Sequence, residues 1–143
     1  MPPAFEAQAR GGGPVDLSLV FRASLEDAAA RDAATIPVER INGPVLLISA
    51  GDDRGWPSEL LSDIALERLA RHHHPYPTQH LRYARAGHAI IAPPYGPTVL
   101  EAPGPGVAMA TGGTREDTAF ARADAWARTL LFLAQHLRQD ERG

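Results

Sequence analysis

The chain has 143 residues, 44% of them apolar, a formal net charge of -3 and no cysteine, which suffices for one domain with one core. An acidic balance argues against a nucleic-acid binder, which would carry a basic patch. The lack of cysteine excludes a disulfide framework, a thiolate metal site and a cysteine nucleophile.

All 14 basic residues are Arg and lie scattered among carboxylates, as on a solvated surface. No apolar run approaches the roughly 20 residues that span a bilayer. The N-terminus has no basic start followed by an apolar block, so no signal peptide is read there. A cytoplasmic protein with no nucleic-acid or membrane partner is expected.

Residues 1–14 are polar and end in Gly11-Gly12-Gly13-Pro14; they are expected to be a flexible lead-in to a domain over 15–143. A weak stripe of Leu19, Val20, Ala23, Ala30 and Ala34 predicts a helix over 16–34, which Ile36-Pro37 ends. Ile41-Asn42-Gly43-Pro44 is turn chemistry. The continuous apolar run Val45-Leu46-Leu47-Ile48-Ser49 suits a strand buried on both faces of a parallel sheet.

After the loop Ala50–Pro57, Ser58 is placed to cap a helix over 58–72 whose inner stripe is Leu61, Ile64, Ala65 and Leu69. Gln79–Tyr83 reads as a second, shorter strand. A long loop over 84–113 follows, of the kind that is either functional or mobile. Thr114, with Asp117 three residues on, caps a final helix that runs to 138 and whose expected core face is Trp126, Leu130, Leu133 and Leu137. Two strands alternating with helices imply parallel βαβ construction, hence an α/β fold.

In open α/β sheets, ligands bind beyond the carboxyl ends of the strands. Asp53 follows the first predicted strand there, and His88 follows the second. An Asp in such a loop is commonly a turn residue, and a lone His is commonly structural. The pairing of the two is what points to chemistry: the Asp orients the imidazole, and the imidazole serves as general base towards a hydroxyl. Gly87 permits a sharp turn just before His88. His72-His73-His74 reads as a positive helix C-terminus rather than a metal site, since adjacent histidines cannot all face one ion. Gly11-Gly12-Gly13 lacks the Lys-Ser/Thr of a phosphate loop. No cofactor and no metal are expected.

Four segments together resemble one α/β-hydrolase family. They are Ile36–Ile48, Gly51-Asp52-Asp53-Arg54-Gly55-Trp56-Pro57-Ser58, Ala86-Gly87-His88 with Pro93-Pro94-Tyr95, and Gly112-Gly113-Thr114 with Asp124-Ala125-Trp126. The family comprises the acyl-CoA thioester hydrolases and the bile acid-CoA:amino acid N-acyltransferases, and the resemblance runs from about residue 16 to 138. It implies a partial α/β-hydrolase fold containing the last two parallel strands with their flanking helices. It also implies that Asp53 is the triad acid and His88 the triad base of a thioesterase of fatty acid metabolism. Asp53 fits the family's acid loop better than Asp52, because the pattern Asp, two residues, apolar, Pro starts there.

The departure from the family is the nucleophile. Neither a G-x-S-x-G turn nor a Cys is present, and Ser18, Ser24, Ser49, Ser58 and Ser62 all fall inside predicted elements or at a cap. The resemblance therefore implies the C-terminal catalytic portion of a thioester hydrolase, with acyl-CoA as the substrate of the complete enzyme. This portion is expected to be inactive by itself and to associate with itself or with a complementing N-terminal portion. Two other readings stay open: a non-catalytic remnant or binding module of the same fold, and a dienelactone-hydrolase-like or peptidase-like esterase.

Overall fold

The computed structural model describes residues 1–91, 93–103 and 106–137; the predicted helix end at 138 and the domain end at 143 lie outside them. In chain order the helices are α1 (Pro3–Arg10), α2 (Ser18–Ser24), α3 (Ala28–Ala34), α4 (Ser58–Arg71) and α5 (Arg115–Leu137). The strands are β1 (Val45–Ala50), β2 (Thr78–Tyr83), β3 (Glu101–Pro103) and β4 (Ala108–Ala110), and short 3-10 turns occupy Val38–Arg40 and His88–Ile91. The class is α/β.

β1 and β2 pair in parallel, from Val45 opposite Thr78 to Ala50 opposite Tyr83. Side chains alternate across the sheet, and the contacts identify the two faces. On one, Arg82 of β2 bonds Glu59 and Asp63 of α4, and Ser49 meets His80 at 2.7 Å. On the other, Ala50 joins Ala86, Ile90 and Ala121 in a small core flanked by Tyr83, and the Tyr83 hydroxyl donates to Asp124 of α5 at 2.7 Å. The two strands thus lie between α4 and α5. Among the described residues no strand pairs with the other edge of β1, and Ile48 on it is 36% exposed.

Several elements differ from the sequence reading. The predicted 16–34 helix is two helices, because Asp27 starts a new one by accepting the N–H of Ala30 at 3.0 Å. Pro3–Arg10 of the expected lead-in is helical. Inside the long loop, β3 and β4 pair antiparallel. Val15, fully buried, extends that pairing by donating to Ala108 O and accepting from Ala110 N, each at 2.9 Å. Ser58 does not cap α4. Its hydroxyl donates to Ala50 O at 3.2 Å and accepts from Ala50 N at 3.1 Å, tying the helix start to the end of β1.

Thr114 does cap α5, accepting the Asp117 N–H at 3.0 Å while donating to its carboxylate. The expected core face of α5 is largely open, with Trp126 43% and Leu130 51% exposed. The residues it buries lie nearer its start, at Thr118, Ala121, Arg122 and Ala125. No described helix is long and apolar enough to cross a membrane.

Candidate active site

The parallel pairing sets the ends of β1 and β2 side by side, so the loops that follow them meet. Asp53 and His88 are in contact there: His88 Nδ1 lies 3.0 Å from Asp53 Oδ1 and 3.3 Å from Oδ2. A carboxylate can only accept, so Nδ1 carries the hydrogen. That leaves Nε2 as the basic nitrogen, and no hydrogen bond engages it among the described residues.

The Asp53 side chain is 2% exposed and the His88 side chain 25%. Burying a carboxylate is costly unless it is satisfied. Asp53 Oδ1 also accepts the N–H of Gly55 at 2.9 Å and of Trp56 at 3.1 Å, so the loop's own backbone satisfies part of the carboxylate.

Two further features shape the imidazole. The Trp56 ring stands edge-on to it with centroids 4.9 Å apart. Gly55 passes so close that a Cβ there would lie 2.6 Å from the ring, so any side chain at 55 would push His88 off the carboxylate. Asp52, the neighbour in sequence, does not reach His88; its carboxylate accepts from Gly113 N at 2.8 Å and from Arg54 at 3.2 Å. The sequence reading missed Asp52, Thr111 and Thr118 as parts of this neighbourhood. The Gly112-Gly113 pair before the helix cap was the local signal that a tight backbone approach occurs there.

The hydrogen bond to Asp53, with the carboxylate's charge, raises the His88 pKa above its ordinary 6.5 against the opposing effect of burial. His80 is shifted the other way. Burial, then the nearby Arg82, lower its pKa, and its buried Nδ1 has no hydrogen-bond partner among the described residues. Ser49, which meets it, is 1% exposed and out of reach of a substrate.

The two histidines should therefore tilt stability in opposite directions. His88 favours the folded state fully below pH 6.5 and loses that contribution as pH rises through its raised folded pKa. His80 favours it above pH 6.5 and loses that contribution as pH falls through its lowered folded pKa. Denaturant unfolding across this range should show His88→Asn flattening the alkaline decline and His80→Asn the acidic one. Unchanged slopes in both variants would contradict these assignments.

Two hollows, of about 730 and 450 Å³, lie along α4 beside α2 and α3, and neither is lined by Asp53 or His88. The three adjacent histidines diverge. His73 turns the chain at φ 51°, and His74 bonds Gly43 O at 3.1 Å beside the Tyr76 ring.

The family described as BAAT / acyl-CoA thioester hydrolase C terminal matches residues 8–139. The chain is 38% identical over 104 residues to the peroxisomal succinyl-coenzyme A thioesterase of Mus musculus, covering 71% of this chain and 24% of that protein. It is 32% identical over 126 residues to acyl-coenzyme A thioesterase 6 of Mus musculus, with 87% and 29% covered. It is 35% identical over 106 residues to acyl-coenzyme A amino acid N-acyltransferase 2 of the same organism, with 73% and 25% covered. The chain thus spans about a quarter of the length of the curated relatives it matches.

Proposed function

The chain belongs to the BAAT / acyl-CoA thioester hydrolase C-terminal family, and we propose that it supplies the acid and the base of an acyl-CoA thioester hydrolase of α/β-hydrolase fold. The observation that carries this reading is the buried Asp53 carboxylate bonded to His88 Nδ1 at 3.0 Å, with Nε2 making no hydrogen bond among the described residues. In that geometry Nε2 takes the proton of an attacking hydroxyl, and Asp53 stabilises the imidazolium that forms.

The same proton then goes to the thiolate of the departing coenzyme A. The attacking hydroxyl comes from a residue outside this sequence, which has no Cys and no G-x-S-x-G. Among its own serines, Ser18 donates to Asp16, Ser49 is buried against His80 and Ser58 is tied to Ala50. An acid and a base without a nucleophile form no acyl-enzyme.

The test exchanges segments. Purified alone, the chain should release no coenzyme A thiol above background from a range of acyl-CoA substrates. Put in place of the matching segment of the mouse succinyl-coenzyme A thioesterase, it should restore release, and His88→Ala should abolish it. Release by the chain alone that depends on His88 would refute the external nucleophile. A folded exchange protein whose turnover ignores His88→Ala would refute the acid–base role and favour a binding module instead.

A further inference from the structure

We propose that Thr118 and Asp52 are positioning residues for the Asp53–His88 pair, fastening its two loops to the turn that leads into α5; the inference rests on the acid–base reading of that pair. The base side is held through the backbone. The N–H of Gly87, immediately before His88, donates to Thr118 Oγ1 at 3.1 Å. The N–H of His88 itself donates to Thr111 O at 2.7 Å. Thr118 is 1% exposed, so no water replaces its hydroxyl if it is removed, and Gly87 would keep a buried, unmet donor.

The acid side is held by the same turn. Asp52 Oδ2 accepts the N–H of Gly113 at 2.8 Å, and the N–H of Asp52 donates to Ala86 O at 3.1 Å. Arg54 N also points at Thr111 O, at 3.4 Å. One carbonyl thus receives an N–H from each loop. The fit is close enough that a Cβ on Gly87 would lie 2.1 Å from Gly112 O, and one on Gly113 2.7 Å from Thr118 Oγ1.

These bonds matter because the contact they serve is short-ranged. A hydrogen bond at 3.0 Å is lost when its partners separate by about another 1 Å, and a site loosened by that amount loses function. Thr118 hydrogen-bonds Gly87 rather than the ring or the carboxylate, so its effect passes through Gly87; Asp52 acts through Gly113.

The test is a nuclear magnetic resonance titration of the His88 imidazole in the purified chain, the signal being assigned by its loss in His88→Asn. Thr118→Val and Asp52→Ala should both move the His88 pKa back towards 6.5 and weaken the low-field Nδ1–H resonance. Thr118→Ser keeps the hydroxyl and should retain the wild-type behaviour. So should Asp52→Asn, which removes the same charge as Asp52→Ala yet still accepts from Gly113; the difference between these two isolates position from electrostatics.

If Thr118→Val does not fold, the two Asp52 variants decide. Variants that melt earlier with an unmoved His88 titration overturn the proposal. Asp53→Asn separates the two ideas: a His88 titration indifferent to it sinks the acid–base reading, whereas a response to Asp53→Asn alone sinks only the positioning role.

Discussion

In the exchange protein, Asp53→Asn should lower coenzyme A release by about 10²-fold or more while leaving the fold intact. The Gly55 and Trp56 N–H groups both point at Oδ1, so the oxygen of the introduced amide would take that position. Its NH₂ then falls at the site of Oδ2, 3.3 Å from His88 Nδ1. The Nδ1–H keeps the amide oxygen as its acceptor at 3.0 Å, but the negative charge that stabilises the imidazolium is gone, so Nε2 becomes a weaker base towards the attacking hydroxyl. The loss should appear mainly in kcat, because the change touches proton transfer rather than substrate binding. A loss of less than about tenfold would mean that His88 does not depend on the charge of this carboxylate.

Gly112→Ala should destabilise the chain by about 3–5 kcal/mol, a large part of what a domain of this size has. Gly112 sits at φ 70°, in the left-handed region where a residue with a Cβ costs about 1–2 kcal/mol. The larger effect is steric: that Cβ would lie 1.8 Å from the carbonyl oxygen of Asp52. Backbone cannot yield as a flexible side chain can, so the turn must back away from the acid loop. The Gly113–Asp52 hydrogen bond is lost with it, and the Thr111 carbonyl shared with His88 and Arg54 is displaced. Urea unfolding of wild type and variant measures the change. A shift under about 0.5 kcal/mol would show that the turn closes in some other way.

The fold was legible in sequence where one element's signal sat in one stretch of chain. Val45-Leu46-Leu47-Ile48 is apolar without interruption, and it forms most of β1. Asp53 and His88 were found as a pair because each follows a strand, and parallel strands bring their following loops together. The Thr114–Asp117 cap was legible because both its partners lie within one turn of helix. Other features misled because a second element competed for the residue. Ser58 has cap chemistry, yet the backbone of Ala50 was nearer and took its hydroxyl. The Trp126, Leu130 and Leu133 stripe has core periodicity, but periodicity says which residues share a face, not which part of that face meets the sheet.

What the sequence by itself determined is therefore local: the apolar strand, the Thr114–Asp117 cap, and the order of elements that makes an α/β chain with an Asp and a His after successive strands. What only the tertiary structure decided is how Asp53 and His88 are held. Asp52 meets Gly113 across 61 positions, Thr118 meets Gly87 across 31, and Val15 joins β4 from the far end of the chain. None of these pairings leaves a periodic trace, because hydrogen bonds between single backbone groups and single side chains depend on where two loops come to rest. That position is set by the packing of α4 and α5 on opposite faces of two strands, and no stretch of sequence encodes it alone.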